Sequence, residues 1–263
     1  MSLQLDHVVI NTRYETDLAA ELFAGLGFQL TPRGFHPTLG SINHLMVFEH
    51  AYLELIGLPP GGDKVRQELI DSPVGLNGLV FASSDAEATR NHLISAGFDA
   101  QPVQHFARPL QIDGKNHEAR FSAVRLALDS FDAGRVYYCQ HHTRELIWRR
   151  DWLSHANGVT GIVELTIASA DPEATAARYR RLGSIDTGFA LSVVDAATLA
   201  QRFGDLAVIG SERSERSAAV TLRSPEPQRV AERAAALGLP HVSTSDRVVV
   251  ALPAFGSLIE VIK

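Results

Sequence analysis

A strand, a helix and a glycine at the helix exit recur four times along this 263-residue chain, and nothing else in the sequence constrains its fold as strongly. The helix-plus-exit segments span 17–28, 85–98, 171–184 and 226–239. They end in Leu26-Gly27-Phe28, Ala96-Gly97-Phe98, Leu182-Gly183-Ser184 and Leu237-Gly238-Leu239. Each follows an apolar, strand-like run, at 5–11, 79–83, 162–168 and 218–223. From His7 to Gly27, Gly78 to Gly97, Glu164 to Gly183 and Val220 to Gly238 the spacing is 18 to 20 residues. A near-fixed period means duplicated supersecondary units. A residue that is polar in one copy and apolar in the others is then a candidate for something other than packing.

The first unit, 3–58, opens on a strand in which Leu5, His7 and Val9 alternate with Asp6, Val8 and Ile10. Both sets are largely apolar, so the strand reads as covered on both sides. Leu18, Leu22 and Leu26 make the expected buried stripe of its helix. Three short strands follow at 28–32, 43–48 and 51–57, with Glu49-His50 as the turn, giving β-α-β-β-β. The second unit, 75–148, repeats the order: Asp85 caps its helix, strands fall at 103–109, 121–128 and 136–140, and polar 111–118 reads as a loop. A joint follows at 149–158. The third unit, 159–210, departs from the pattern. Its helix opens with Asp171-Pro172, and after a strand at 189–194 comes an extra helix at 195–204. The fourth, 217–263, closes with strands 248–252 and 258–262, and 211–217 reads as an exposed loop before it. The expected fold class is α+β: four βαβββ modules forming two cupped mixed sheets, as domains 1–150 and 151–263.

A formal charge of −6 gives a nucleic-acid role no electrostatic footing. Cys139 is the one cysteine, so no intramolecular disulfide can form. No apolar run reaches the roughly 18 residues that would cross a bilayer, and the start lacks a charged-then-apolar signal segment. The chain reads as a cytoplasmic protein with neither nucleic-acid nor membrane partners.

Tandem βαβββ units resemble the vicinal oxygen chelate superfamily, and the first half is similar to its glyoxalase-like family. The resemblance rests on Leu5-Asp6-His7-Val8-Val9, Gly40-Ser41-Ile42-Asn43-His44 and Tyr52-Leu53-Glu54-Leu55-Ile56. Tyr138-Cys139-Gln140-His141, Trp148 and His155-Ala156-Asn157-Gly158 extend it. It implies paired modules around a cup (as in glyoxalases, bleomycin-resistance proteins and dihydroxybiphenyl dioxygenases). It also implies a divalent metal there, held by the first and last strand of each module. His7 and Glu54 match those positions in module one. Module two has Gly78 where a His is often found and Gln140 where a Glu is often found.

Glu54 sits between Leu53 and Leu55, where an ionised carboxylate is costly unless paired, hydrogen-bonded or metal-bound. Imidazole plus carboxylate suits Zn, Mn, Fe, Co or Ni alike; a structural ion pair is the plain alternative. The metal set is His7, Glu54 and Gln140, with Glu54 also the candidate base. His141 falls one residue off the expected face. Asn43 and His44 are substrate-binding candidates, although a strand-end polar role suits Asn43 equally. His36, in the Gly- and Pro-rich loop 33–40, reads first as a solvated residue. Arg108, Arg120 and Arg125 cluster in module two, and an Arg aimed into the cup would suit a carboxylate or phosphate; Arg108 and Arg120 are taken as substrate-binding, with Tyr138. Cys139 reads as core. At matching positions the second half has Glu164, Val220 and Glu260, a poorer metal set, and reads as structural.

The expected function is a metal-dependent glyoxalase-like enzyme of lyase or isomerase type. It would act on a small oxygen-bearing molecule through a metal-stabilised enediolate-like anion. One alternative is a non-catalytic binding protein whose cup is lined by Phe35, Phe48, Tyr52, Phe106, Phe121 and Tyr138. The other is a ring-cleaving dioxygenase, against which Gly78 argues. The resemblance leaves room for a homodimer.

Overall fold

The structure is a computed structural model that describes residues 1–62, 64–207 and 213–263. The first half comprises β1 (Ser2–Leu3), β2 (Leu5–Arg13), α1 (Thr16–Gly25), β3 (Gly34–His36), β4 (Ser41–Val47), β5 (Tyr52–Gly57) and a short α2 (Gln67–Asp71). It continues through β6 (Gly75–Ala82), α3 (Ala86–Ser95), β7 (Gln104–Ile112), β8 (Lys115–Arg125) and β9 (Arg135–His141). Eight of these strands form one mixed sheet in the order β3-β4-β5-β2-β6-β9-β8-β7. In each unit the last strand lies parallel beside the first, and the two units meet where antiparallel β2 and β6 pair, Val8 opposite Leu79.

The second half comprises β10 (Gly161–Ser169), α4 (Pro172–Arg180), β11 (Ser184–Ile185), β12 (Ala190–Val194) and α5 (Ala196–Phe203). Then come β13 (Glu215–Arg223), α6 (Gln228–Ala236), β14 (His241–Ser243), β15 (Arg247–Leu252) and β16 (Ser257–Ile262). Its sheet has the order β12-β10-β13-β16-β15-β14. The fourth unit reproduces the strand order of the first two. The third does not: β11 leaves the sheet to pair with β1, and β12 alone flanks β10.

Strand alternation separates two apolar layers. Val8, Ile10, Met46, Leu53, Leu55, Phe81, Val124 and Tyr138 face α1, α3 and the second sheet in one continuous core. Val9, Leu45, Tyr52, Ile56, Val80, Phe121 and Tyr137 face the other way and line a cup. All four exit glycines have positive φ, at 89°, 80°, 145° and 67° for Gly27, Gly97, Gly183 and Gly238, as a left-handed helix stop requires.

The local readings need four corrections. The buried stripe of α1 is Thr16, Ala19 and Phe23; of the three leucines, Leu26 at the helix exit is fully buried, Leu22 packs half-buried on the core and Leu18 is 47% exposed. The first short strand of unit one is Gly34–His36, not 28–32. Residues 111–118 are mostly strand: Asp113 and Gly114, at φ 51° and 73°, make a tight two-residue hairpin turn between β7 and β8. In 211–217, Ser211 and Glu212 lie outside the described residues, and 215–217 already belong to β13. Among the described residues no helix is long and apolar enough to cross a membrane.

Candidate functional site

The cup is built around an irregularity in β2. Leu5 pairs with Phe81 but His7 pairs with Val80, so two β2 residues span one on β6. Such a bulge re-aims side chains, and here it lets Asp6 and His7 act on the same side. Asp6 contacts His7 Nδ1 at 2.5 Å and His141 Nε2 at 3.1 Å. Burial alone would raise the Asp6 pKa, but His141 and His7 outweigh it and hold the carboxyl well below the usual range. An ionised Asp6 accepts a proton-bearing Nδ1, which fixes the tautomer and leaves the Nε2 lone pair facing the cup. There Nε2 accepts from the Tyr137 hydroxyl at 3.1 Å and lies 3.5 Å from Glu54 Oε2. The imidazole is stacked on Tyr52, ring centroids 4.3 Å apart.

Glu54 projects from β5, 5% exposed. Its Oε1 accepts from Asn43 Nδ2 at 2.7 Å, and Asn43 Oδ1 accepts from Arg108 Nη1 at 2.8 Å. Burial opposes ionisation of Glu54, yet His7, His36, the Asn43 amide and Arg66 together lower its pKa. His36 is not a solvated loop residue: it ends β3, is 6% exposed, and packs edge-on to Phe106 inside the cup. Burial, with Arg108 and Arg66 nearby, pulls its pKa down to about 4 against the pull of Glu54, so its ring is neutral at pH 7. The cavity in the cup has a volume of about 40 Å³, room for roughly three waters.

The structure brings His7, Glu54, Asn43 and Arg108 together and leaves four other candidates outside. Gln140 points to the opposite face, where its Oε1 accepts from Ala86 N at 3.1 Å and its Nε2 donates to Ser84 O at 2.8 Å at the start of α3. Tyr138 is fully buried in the main core. His44 Nδ1 donates to Thr31 O at 2.9 Å, and Arg120 is exposed. The reason is register. Glu54 pairs with Val9 and Tyr137 pairs with Val80, so Tyr137 is the true module-two counterpart of Glu54. The same alternation puts Cys139 and His141 on the cup side. Of the expected aromatic lining, Tyr52, Phe106 and Phe121 face the cup, Phe48 and Tyr138 lie in the main core, and Phe35 is 44% exposed. At Gly78 an added Cβ would lie 2.7 Å from Val9 Cβ, so no ligand side chain fits there as packed.

The chain matches the glyoxalase-like domain family over residues 5–183. It belongs to that family. No curated protein matches this glyoxalase-like chain. Among solved structures it is similar to a hypothetical protein from Staphylococcus aureus, at 13% identity and TM-score 0.66, covering 98% of each chain. It is also similar to a mutant 4-hydroxymandelate synthase from Streptomyces coelicolor, at 9% identity and TM-score 0.56, over 99% of this chain and 92% of that one. A xylose isomerase-like TIM barrel/4-hydroxyphenylpyruvate dioxygenase fusion protein shares 11% identity at TM-score 0.59, over 98% of this chain and 48% of that one. At these identities the likeness is one of fold.

Glyoxalase-like relatives commonly bind divalent metals, and the donor chemistry of this cup fits such an ion at one pair. His7 offers an Nε2 lone pair whose ring is locked by Asp6, and Glu54 offers an ionised Oε2 beside it. Tyr137 is a neutral phenol whose pKa burial pushes up, so it is a poor third ligand. Asp6, Cys139 and His141 also bring donor atoms within 4.8 Å of one another. In that group Asp6 is already committed to two imidazoles, and burial keeps the Cys139 thiol protonated.

Proposed function

We propose that this chain is a metal-dependent glyoxalase-like enzyme of lyase or isomerase type acting on a small oxygen-bearing molecule. One observation supports the reading above all: His7 Nε2 and Glu54 Oε2 sit 3.5 Å apart in a buried cup, with the far side of the imidazole held by Asp6. A divalent ion bound by that pair would supply Lewis acidity toward vicinal oxygens. The chain's own residues do the rest. Asn43 ties down Glu54 Oε1 and leaves Oε2 toward the cup as the base for a proton α to a carbonyl. The Tyr137 hydroxyl, kept neutral by burial, is a donor for a developing oxyanion. The neutral His36 adds an uncharged imidazole to the cup wall beside them. Residues 1–150 would hold the reaction, with 151–263 as a degenerate partner.

Ring-cleaving dioxygenase chemistry, the other enzymatic alternative, wants two His and a carboxylate. The packing of Val9 against Gly78 removes the natural place for the second His. Elemental analysis of protein purified without added metal, followed by titration with Mn, Ni and Zn, tests the proposal. About one equivalent per chain, lost in His7→Ala and Glu54→Gln, is expected. Less than a tenth of an equivalent, with no thermal shift on titration, would leave only a binding protein.

A further inference from the structure

The guanidinium of Arg108 is a buried charge with no carboxylate in direct contact; ionised Glu54 supports it only through Asn43. Arg108 is 3% exposed, and its one side-chain partner is the neutral Asn43 carbonyl. Its Nε is buried with no partner, and among the described residues no carboxylate lies within ion-pair distance of it. Arg125, in the same cup, repeats the pattern: it donates to Gln104, its Nε is unpartnered, and its guanidinium leans on the Phe106 and Tyr137 rings. By contrast, buried Arg135 and half-buried Arg202 meet carboxylates directly. Arg135 pairs with Glu68, and Arg202 holds both Glu164 and Glu260. An unpaired buried charge is expensive, and proteins keep one where a ligand completes it.

The backbone is shaped to seat this charge. At Gly34 an added Cβ would lie 2.3 Å from Arg108 Nη1 and 2.2 Å from Asn43 Oδ1. Only a bare backbone lets the guanidinium reach Asn43.

Resting on the function proposed above, we infer that the substrate carries a carboxylate, received in the cup by the unpartnered Nε edge of Arg108. With Nη1 committed to Asn43, one edge of the fork remains, which suits a planar monoanion. A phosphate dianion asks for more donors and would sit near ionised Glu54, only two hydrogen bonds from Arg108, at 2.7 and 2.8 Å. The small free volume restricts the ligand to a few heavy atoms. The class is therefore a short 2-oxo or 2-hydroxy monocarboxylate, its acid on Arg108 and its vicinal oxygens toward His7 and Glu54.

Binding of pyruvate, hydroxyacetone and inorganic phosphate to the full chain tests this, by calorimetry on protein as purified and after chelation. Wild type is expected to bind pyruvate at least tenfold more tightly than hydroxyacetone in both preparations, and phosphate more weakly than pyruvate. Arg108→Met should erase the pyruvate preference and leave hydroxyacetone unchanged. Equal affinity of wild type for pyruvate and hydroxyacetone overturns the inference, as does a full preference in folded Arg108→Met. Phosphate binding tighter than pyruvate overturns the carboxylate assignment. If Arg108→Met does not fold, the wild-type comparison decides alone. Metal uptake without a pyruvate preference sinks this inference and spares the proposed function; a preference without metal uptake does the reverse.

Discussion

The two sheets answer the same problem in opposite ways. In the second, α5 lies across the inner face, with Leu199 and Phe203 packed on Ala218, Ala219, Val249 and Leu258. Arg202 of that helix reaches Glu164 at 2.5 Å and also binds Glu260, which Arg247 meets from the other side at 2.5 Å. Two guanidiniums face two carboxylates, and the cup is closed by its own chain. In the first, the short α2 packs only Leu69 and Ile70 against the cup-side layer and a cavity remains; Asp6 and Glu54 face imidazoles and an amide, while Arg108 and Arg125 make no direct ion pair among the described residues. The contrast teaches that the second cup meets its charges with direct ion pairs, whereas the first reaches Arg108 only through an amide. The imbalance in the first cup then marks the place for a ligand.

Breaking the closed cup should have the largest effect. Arg202→Met leaves two carboxylates facing each other, one of them buried, and should cost about 2–3 kcal/mol. That is a melting-temperature loss of roughly 5–10 °C for a chain of this size, measurable by calorimetry, with metal uptake by the first cup unchanged. Next is Asp6→Asn, which frees the His7 ring. Metal affinity should fall about 10- to 100-fold in a titration, while the fold persists by circular dichroism.

Acid sharpens the comparison further. Burial works against ionised Glu260, but Arg202, Arg247 and Thr221 more than compensate, so its folded-state pKa lies below the ordinary 4.5. A depressed folded pKa contributes stability that is complete above the unfolded value and is lost as pH falls through the folded one. Denaturant midpoints should therefore drop below about pH 4.5, and Arg202→Met should flatten that limb. Smaller still, Gln140→Ala removes the bonds to Ala86 and Ser84 and should cost about 1 kcal/mol in urea unfolding without touching metal affinity. Tyr138→Phe deletes a hydroxyl that has no partner and should leave both stability and metal binding nearly unchanged.

The repeat and the glycine exits are legible because a sequence displays periodicity directly; the pairing of His7 with Glu54 comes from the family resemblance, and the two side chains lie 3.5 Å apart. What escaped was register. The bulge in β2 brings Asp6 to the side of its chain neighbour His7. The family resemblance puts Gln140 at the position where the register places Tyr137. Asp113-Gly114 did carry a hairpin signal, but its polar flanks masked a long edge ribbon. His36 was unreadable for a different reason: its burial is made by Phe106 and Arg108, some seventy residues away in sequence.

The central claim is that the first cup holds a cation on an imidazole and a carboxylate from one module. Anomalous difference density from crystals grown with Mn or Zn tests it most directly. The account predicts one peak per chain, within about 2.0–2.3 Å of both His7 Nε2 and Glu54 Oε2. No peak, or a peak among Asp6, Cys139 and His141 instead, would contradict it.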